Sequence, residues 1–378
     1  MNFIKYSKYF YLALFTVLLS TTFWFGFYYN IPGKLGFPAT TLETVFANYD
    51  GPNYMVIAKC GYVKNCIATK FSLPQPLEYY PAHFPGYPLL IKYFSLYTST
   101  PKAMLIVTLL GSILLTLTSY YFFKMYLSER LAYYLAILML FFPGRLLVLR
   151  VVGAPETWFI GLTLLSIILF QRQKYLMSAI SAAFALTLKS PGVLLFAAYV
   201  CMAIFDYLKY QNLRQLFYKY FGYILVPLTA LIIFYLYYLE TGDFLAYFHS
   251  GDNIHLNLLP YLVFISNHTW INTIWLEDVI YIVLLAFVGL LKLFKKFKFN
   301  LIFVYPFIYT LAAVFVAHRD ISRYISPAYP FLLLAFGKTM SKSYYKYILI
   351  ILLPALILFA INFIVGNVAP IADWTPYL

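Results

Sequence analysis

Charge is scarce in this chain, and negative charge most of all. Only 11% of its 378 residues are Asp, Glu, Lys or Arg, and 13 are acidic. Soluble domains carry roughly 25% charged residues, so a water-covered globular surface is excluded. Cysteine is rarer still, at 3 residues: Cys60, Cys66 and Cys201. Their spacing matches no metal site, and neither does that of His83, His249, His255, His268 and His318. Cys60 and Cys66 share one loop. They could pair if that loop faces an oxidising compartment, and two free thiols fit the spacing equally well. No internal repeat, low-complexity linker or separate soluble domain is visible, so residues 1–378 read as one integral membrane domain.

What the chain has in abundance is apolar surface. It is 63% hydrophobic with a mean hydropathy of +0.78, and 21% aromatic, with 39 Tyr and 37 Phe. Apolar runs approaching the roughly 20 residues that cross a bilayer recur along its length. The pattern predicts about eleven hydrophobic helices, within a range of about 9–13. They run over about 9–29, 103–123, 131–143, 156–170, 175–188, 192–208, 220–239, 275–291, 300–317, 325–337 and 347–365. The first run, from Tyr9 to Tyr28, is too long for a signal-peptide core and lacks a small-residue cleavage site.

The net charge of +14 suggests nucleic acid until its distribution is read. With the N-terminal Lys5 and Lys8 cytoplasmic, alternate short loops hold Lys124 and Arg130; Arg172 and Lys174; Lys209, Arg214 and Lys219; Lys292, Lys295, Lys296 and Lys298; and Lys338, Lys342 and Lys346. Glu129 and Asp206 are the acids on that side. This is the positive-inside signature of a multipass membrane protein, with no role for nucleic acid. Two long loops face outward, about 30–101 and 240–274. The inner loops carry no motif, so function is expected on the outer face. The compact length points to a prokaryotic cell membrane. Asn267-His268-Thr269 reads as a glycosylation acceptor only in a eukaryotic host, where the outer face is the ER lumen.

In the first outer loop, Asp50 stands in "ANYDGPNYMVIAKCGY", at the head of a short amphipathic run. There it can cap a helix, serve as a base, or do both, with capping fixing its direction. "EYYPAHFPGYPLL" follows, a Pro- and aromatic-rich re-entry into the bilayer. Arg145, Arg150, Lys189, Arg319 and Arg323 break the positive-inside rule. They either snorkel to lipid phosphates and pair with acids such as Glu156 and Asp320, or bind a substrate phosphate. Arg323 leads, because it sits beside Tyr324 at the head of a helix entering the membrane. Arg319 comes second and Lys189 third. Glu156 opens a helix as a natural first-turn acid. His318 is a further phosphate contact.

Tyr49, Asp50, Gly51, Tyr54, Ile57, Ala58, Gly61 and Tyr62, followed by Phe84, Pro85, Gly86, Tyr87, Pro88 and Leu89, resemble the PIG-V-type mannosyltransferases. These are polytopic membrane glycosyltransferases of the GT-C fold. The likeness is concentrated in residues 45–95 and continues through "GAPETWFIGLTLLS" and "HRDISRYISPAYPF". Tyr49 stands where that family has Trp, and His83 where it has an aromatic residue. The resemblance implies an all-α GT-C-like fold whose long first outer loop carries short interfacial helices. It also implies transfer of a sugar, such as mannose, from a polyprenyl- or dolichyl-phosphate carrier to a glycan, glycolipid or protein acceptor. In that scheme Asp50 is the base, with Glu78 and Glu156 as backup acids. Arg323, Arg319, Lys189, Arg145 and Arg150 are the phosphate ligands. Tyr49, Tyr54, His83, Tyr87 and Tyr324 line the sugar and acceptor pocket. No cofactor is expected, since a monophosphate leaving group does not demand a divalent metal, although one is compatible. The competing reading is a transporter or flippase of lipid-linked sugars, which favours two matching halves and helices broken at mid-membrane. A third, a non-catalytic scaffold, needs no acid facing arginines.

Overall fold

The computed structural model describes residues 2–251, 256–265 and 276–378. His255, His268 and the Asn267 acceptor lie outside the described residues. The structure is all-α. Helix α1 (Asn2–Tyr28) leads into the first long loop with α2 (Ile31–Lys34), α3 (Leu42–Phe46), α4 (Gly51–Cys60), α5 (Lys64–Lys70) and α6 (Gly86–Phe94). Then come α7 (Thr100–Lys124), α8 (Glu129–Phe141), α9 (Gly144–Leu149), α10 (Glu156–Gln171), α11 (Tyr175–Leu188), α12 (Gly192–Tyr210), α13 (Leu213–Tyr220) and α14 (Leu225–Thr241). The last group is α15 (Glu277–Phe297), α16 (Leu301–Ala313), α17 (Ile321–Tyr324), α18 (Tyr329–Met340) and α19 (Ser343–Gly366).

The expectation of about eleven spanning helices needs correction. Among the described residues, five stretches are long and apolar enough to cross a membrane: Ser7–Tyr28, Thr100–Lys124, Gly192–Tyr210, Leu213–Thr241 and Ser343–Gly366. Helices α10, α11 and α16 are apolar but shorter, at 10–17 residues. The physical reason is local. Pro and Gly steps such as Pro143-Gly144, Pro155 and Pro191-Gly192 end apolar runs early. Helix α15 has the length, with 21 residues, but carries Glu277 and Asp278 at one end and Lys292, Lys295 and Lys296 at the other. The protein is nonetheless multipass. Its long helices leave apolar side chains bare, such as Ile351 at 75% exposure and Ile232 at 68%, as a lipid-facing surface should.

Helix α7 is the centre of the bundle and packs against α1, α6, α8 and α10. Lipid tails are as apolar as the side chains, so close packing and buried polar bonds hold such helices together. Gly111 meets Trp158 and Thr157, and Trp158 Nε1 donates to the Val107 carbonyl at 2.7 Å. Helices α10 and α11 are joined by Ser166 and Ser178, which bond Tyr199 and Tyr223 at 2.7 and 2.5 Å.

Two features aim this first long loop. Its start is clamped by the chain beyond α19: Asn48 Nδ2 donates to the carbonyls of Ile364 and Asn367 at 2.6 and 3.0 Å, and the Ala369 amide donates to Ala47 O at 2.8 Å. Its far side is closed by a Cys60–Cys66 disulfide at the end of α4, which resolves the two readings of that spacing. Beneath α4, Gly153 lies so close to Gly51 and Met104 that a Cβ there would fall inside the Met104 sulfur and 3.0 Å from Gly51 Cα.

That contact yields a first prediction. Gly153→Ala should destabilise the purified protein by about 1–3 kcal/mol through overpacking, and Met104→Ala in the same chain should recover part of it. Thermal unfolding of the single and double variants measures the coupling; strictly additive effects would refute the contact.

Candidate active site

Asp50 is the residue before α4, in the N-cap position, but its side chain makes no capping bond. The expectation that capping aims the carboxylate is therefore corrected. Arg323 aims it instead: Nη2 donates to Asp50 Oδ2 at 2.9 Å, and Nε of the same guanidinium donates to Glu156 Oε1 at 2.6 Å. Lys189 Nζ also reaches Glu156 Oε1, at 2.7 Å. Glu156 Oε2 is buried with no partner among the described residues. His83 Nε2 lies 3.8 Å from Asp50 Oδ1, an approach rather than a hydrogen bond.

Each member arrives on a different element, and each at an end. Asp50 precedes α4, Glu156 opens α10, Lys189 follows α11 and Arg323 sits in the one-turn α17. The Pro and Gly residues that shorten these helices thus deliver charge to one place. The side chain of Glu156 is 1% exposed and that of Arg323 14%, whereas that of Asp50 is 25% exposed. Asp50 is the carboxylate an incoming molecule can reach.

A second ion pair lies alongside. Arg145 Nη2 donates to Asp320 Oδ1 at 2.5 Å, and Tyr49 OH donates to Asp320 Oδ2 at 2.6 Å. The Tyr49 ring lies 4.3 Å from the Arg323 guanidinium carbon and 5.7 Å from that of Arg145, so one aromatic face serves two cations. Arg145 also stacks on Phe363 of α19 at 3.6 Å. Tyr49 has φ 57, a left-handed conformation that a non-glycine residue adopts only under constraint. The Asn48 clamp, the Asp320 bond and Phe363 supply it.

The electrostatics follow from burial and partners. Burial pushes the Asp50 carboxyl up, but the Arg323 guanidinium and then the His83 ring outweigh it, holding it far below the usual carboxylate range. Burial works against the charge on Arg323; Glu156 and then Asp50 more than offset this, and it stays protonated. Burial pulls Lys189 below the ordinary lysine value, with Glu156 opposing.

Several predicted residues fall elsewhere. Arg150 is fully buried and donates to the carbonyls of Ser112 and Met139 and to Thr116 Oγ1. It is a core residue with no path to a lipid headgroup, which corrects its place among the phosphate ligands. Glu78 is exposed on a 3-10 turn and paired with Lys64 at 2.8 Å, so it is not a second acid of this cluster. Arg319 is exposed and makes no ion pair among the described residues. Tyr87 is buried, bonded to Thr108 at 2.6 Å behind Tyr54; it supports the wall rather than forming its surface. Tyr54 stands edge-on to His83 and Tyr87 at 5.0 and 4.9 Å. Tyr324 lies 5.3 Å from the His318 ring. Among the described residues no group of three or more His, Cys, Asp or Glu gathers as a metal site. The residues that sequence reasoning passed over are Gly153, Asn48 and Phe363. An aromatic residue within an apolar helix carries no signal of its own.

The depressed Asp50 value sets a pH test. The stability it contributes is complete above the unfolded value of about 3.9 and is lost only as pH falls through the folded value. In Arg323→Gln the counter-charge goes while the burial stays, so the folded value rises and the neutral acid is favoured. The variant's melting temperature, relative to wild type, should then increase on going from about pH 8 to about pH 5. A deficit that does not vary with pH would show that Arg323 does not control Asp50.

No family model and no curated protein sequence matches the chain. Solved structures do. The apo oligosaccharyltransferase of Archaeoglobus fulgidus is similar over 97% of this chain and 57% of its own, with 13% identity and a TM-score of 0.57. ArnT of Cupriavidus metallidurans, bound to undecaprenyl phosphate, is similar over 90% of this chain and 63% of its own, with 13% identity and a TM-score of 0.58. The archaeal oligosaccharyltransferase AglB, in complex with an inhibitory peptide and a dolichol-phosphate, is similar over 99% of this chain and 57% of its own, with 14% identity and a TM-score of 0.56. The chain thus spans less than two thirds of the length of these proteins. At such identity the likeness is one of fold: this is an all-α, multipass membrane protein with the fold of those structures.

Proposed function

We propose that this protein is a membrane glycosyltransferase that moves a sugar from a polyprenyl- or dolichyl-phosphate carrier to an acceptor hydroxyl. The observation that carries this reading is the Asp50 carboxylate, reachable from outside and held against Arg323 in a fold shared with glycosyltransferases. The reaction needs a proton acceptor and a fixed positive charge for the departing phosphate. The cluster contains both. The acceptor oxygen attacks the anomeric carbon and its proton passes to Asp50. The carbon–phosphate-oxygen bond breaks, and the electron pair leaves with the lipid phosphate, beside Arg323 and Lys189. A single displacement inverts the anomeric centre. The cations supply the charge, so the reading assigns no metal.

Further support comes from the ligands in the similar structures, undecaprenyl phosphate with ArnT and dolichol-phosphate with AglB. The resemblance of residues 45–95 to PIG-V-type mannosyltransferases favours a hexose such as mannose. The acceptor is a glycan, glycolipid or protein. The Cys60–Cys66 disulfide favours an oxidising, extracytoplasmic location for the first loop, with the N-terminus cytoplasmic. Tyr49 and Tyr324, both half-buried, line the sugar and acceptor pocket with the buried Tyr54 and His83 behind them, and Arg145 and Arg319 stand at its margin.

The test offers purified protein a panel of labelled polyprenyl-phosphate sugars with and without chelator. One donor should be consumed in both conditions. Asp50→Asn should lower transfer by about 10²–10⁴-fold in protein that still unfolds cooperatively, although its melting temperature falls with the loss of the ion pair to Arg323. Full transfer by Asp50→Asn, or consumption of no donor by wild type, would sink the reading.

A further inference from the structure

Arg323 is committed twice over. Its Nε and Nη2 are occupied by Glu156 and Asp50, at 2.6 and 2.9 Å. With Lys189 on Glu156, the cluster holds two carboxylates and two cations and is already neutral. A phosphate entering this site meets cations that have partners. Nη1 still has donors to offer, but the charge of Arg323 is already matched, so a phosphate gains the full attraction of the guanidinium only as a carboxylate gives it up. Glu156 is 1% exposed and shared with Lys189, whereas Asp50 is 25% exposed and relies on this guanidinium for its ion pair with a permanently charged residue. Asp50 is the partner that yields.

We propose that Arg323 is handed from Asp50 to the lipid phosphate during the reaction, so that one guanidinium serves the base before transfer and the leaving group after it. The inference rests on the functional reading above and deepens it.

The charge balance favours such an exchange. A sugar phosphodiester carries one negative charge, and the lipid monophosphate that leaves carries close to two, since its second ionisation lies near pH 6. Over the same step Asp50 accepts the acceptor's proton and loses its charge. The negative charge that disappears from the carboxylate appears on the phosphate, and the total within the cluster does not change. A cation between the two sites follows the charge by a shift of hydrogen bonds, with no ion entering or leaving a buried site. The fork of the guanidinium allows this: Nε can stay on Glu156 while Nη2 changes partner. The Tyr49 ring, 4.3 Å from the guanidinium carbon, holds the plane without competing for its donors. Asp50 is a poor base while it is paired, because Arg323 keeps its proton affinity low. As Arg323 shifts, its hold on that affinity weakens and His83 alone opposes the burial, so proton transfer and hand-over proceed together.

The consequence is unusual for a catalytic residue. Removing the Asp50 charge should improve binding of the lipid product, because the phosphate no longer competes for Arg323. Binding of undecaprenyl monophosphate to the detergent-purified full chain, at about pH 7.5 where the second ionisation is nearly complete, gives the comparison. Asp50→Asn is expected to bind about tenfold more tightly than wild type, and Arg323→Gln to lose most of the affinity. Asp50→Ser carries the same test if the Asn variant does not fold. Equal or weaker binding by the neutral variants, with wild-type binding still dependent on Arg323, overturns the hand-over and leaves the glycosyltransferase reading intact. Binding that does not depend on Arg323 also overturns the hand-over. Absence of binding to wild type and to the neutral variants alike overturns the functional reading with it.

Discussion

The candidate site of this protein is organised by the need to keep one guanidinium neutralised. A buried arginine is costly unless anions reach it with good geometry. Arg323 has two, and they come from opposite ends of the first half of the chain. Glu156 would be untenable at 1% exposure without Arg323 and Lys189. Asp50 would be drawn toward its neutral acid by the same burial. Each charge is tolerable only in company, so the loop before α4, the start of α10, the end of α11 and the one-turn α17 must meet. The fold can be understood as the solution to that meeting.

The solution depends on helices that stop short. A polytopic protein made only of full spans would present its helix ends at two interfaces, in contact with water and lipid headgroups. Here α10 and α11 are too short to do so. Pro155, Pro191 and their neighbouring glycines end them where backbone can approach backbone, and Gly153 lies against Gly51 with no room for a methyl group between them. The Tyr49 conformation belongs to the same economy of space. With φ 57 it turns the chain so that its ring faces Arg323 while the next residue presents a carboxylate to the same cation. That strain is maintained by the strand-like pairing of residues 47–49 with 367–369, and so by the far end of the chain.

Some of this was legible in the sequence and some was not, for reasons that differ by residue. Asp50, Glu156, Lys189 and Arg323 were visible because acids are rare in an apolar chain and because the two cations break the expected positive-inside pattern. Rarity made them conspicuous. Arg150 was equally conspicuous and was misread, because the bias cannot distinguish a cation at the interface from one buried against the carbonyls of Ser112 and Met139. The number of spanning helices was overestimated because hydropathy measures apolarity and not length, and a buried half-helix is as greasy as a full span. Asn48 and Phe363 left no trace, since their roles arise from a pairing across more than 300 positions that no local pattern encodes. The capping role of Asp50 was the natural local inference. It failed because a tertiary partner outcompeted the backbone amides for the same oxygen.

That competition also bears on how the site can respond to a ligand. A carboxylate bonded to its own helix would be spoken for by covalent neighbours, and no ligand could change its state. A carboxylate bonded to a side chain from a distant element can be released, because the partner has other orientations open to it. Two cations on two carboxylates make a neutral, closed arrangement that is stable beside the membrane and repels no anionic lipid. Its stability is conditional on which anion is present. Charge placed by tertiary contact rather than by local structure is what lets a binding event at one member be felt as a change in proton affinity at another.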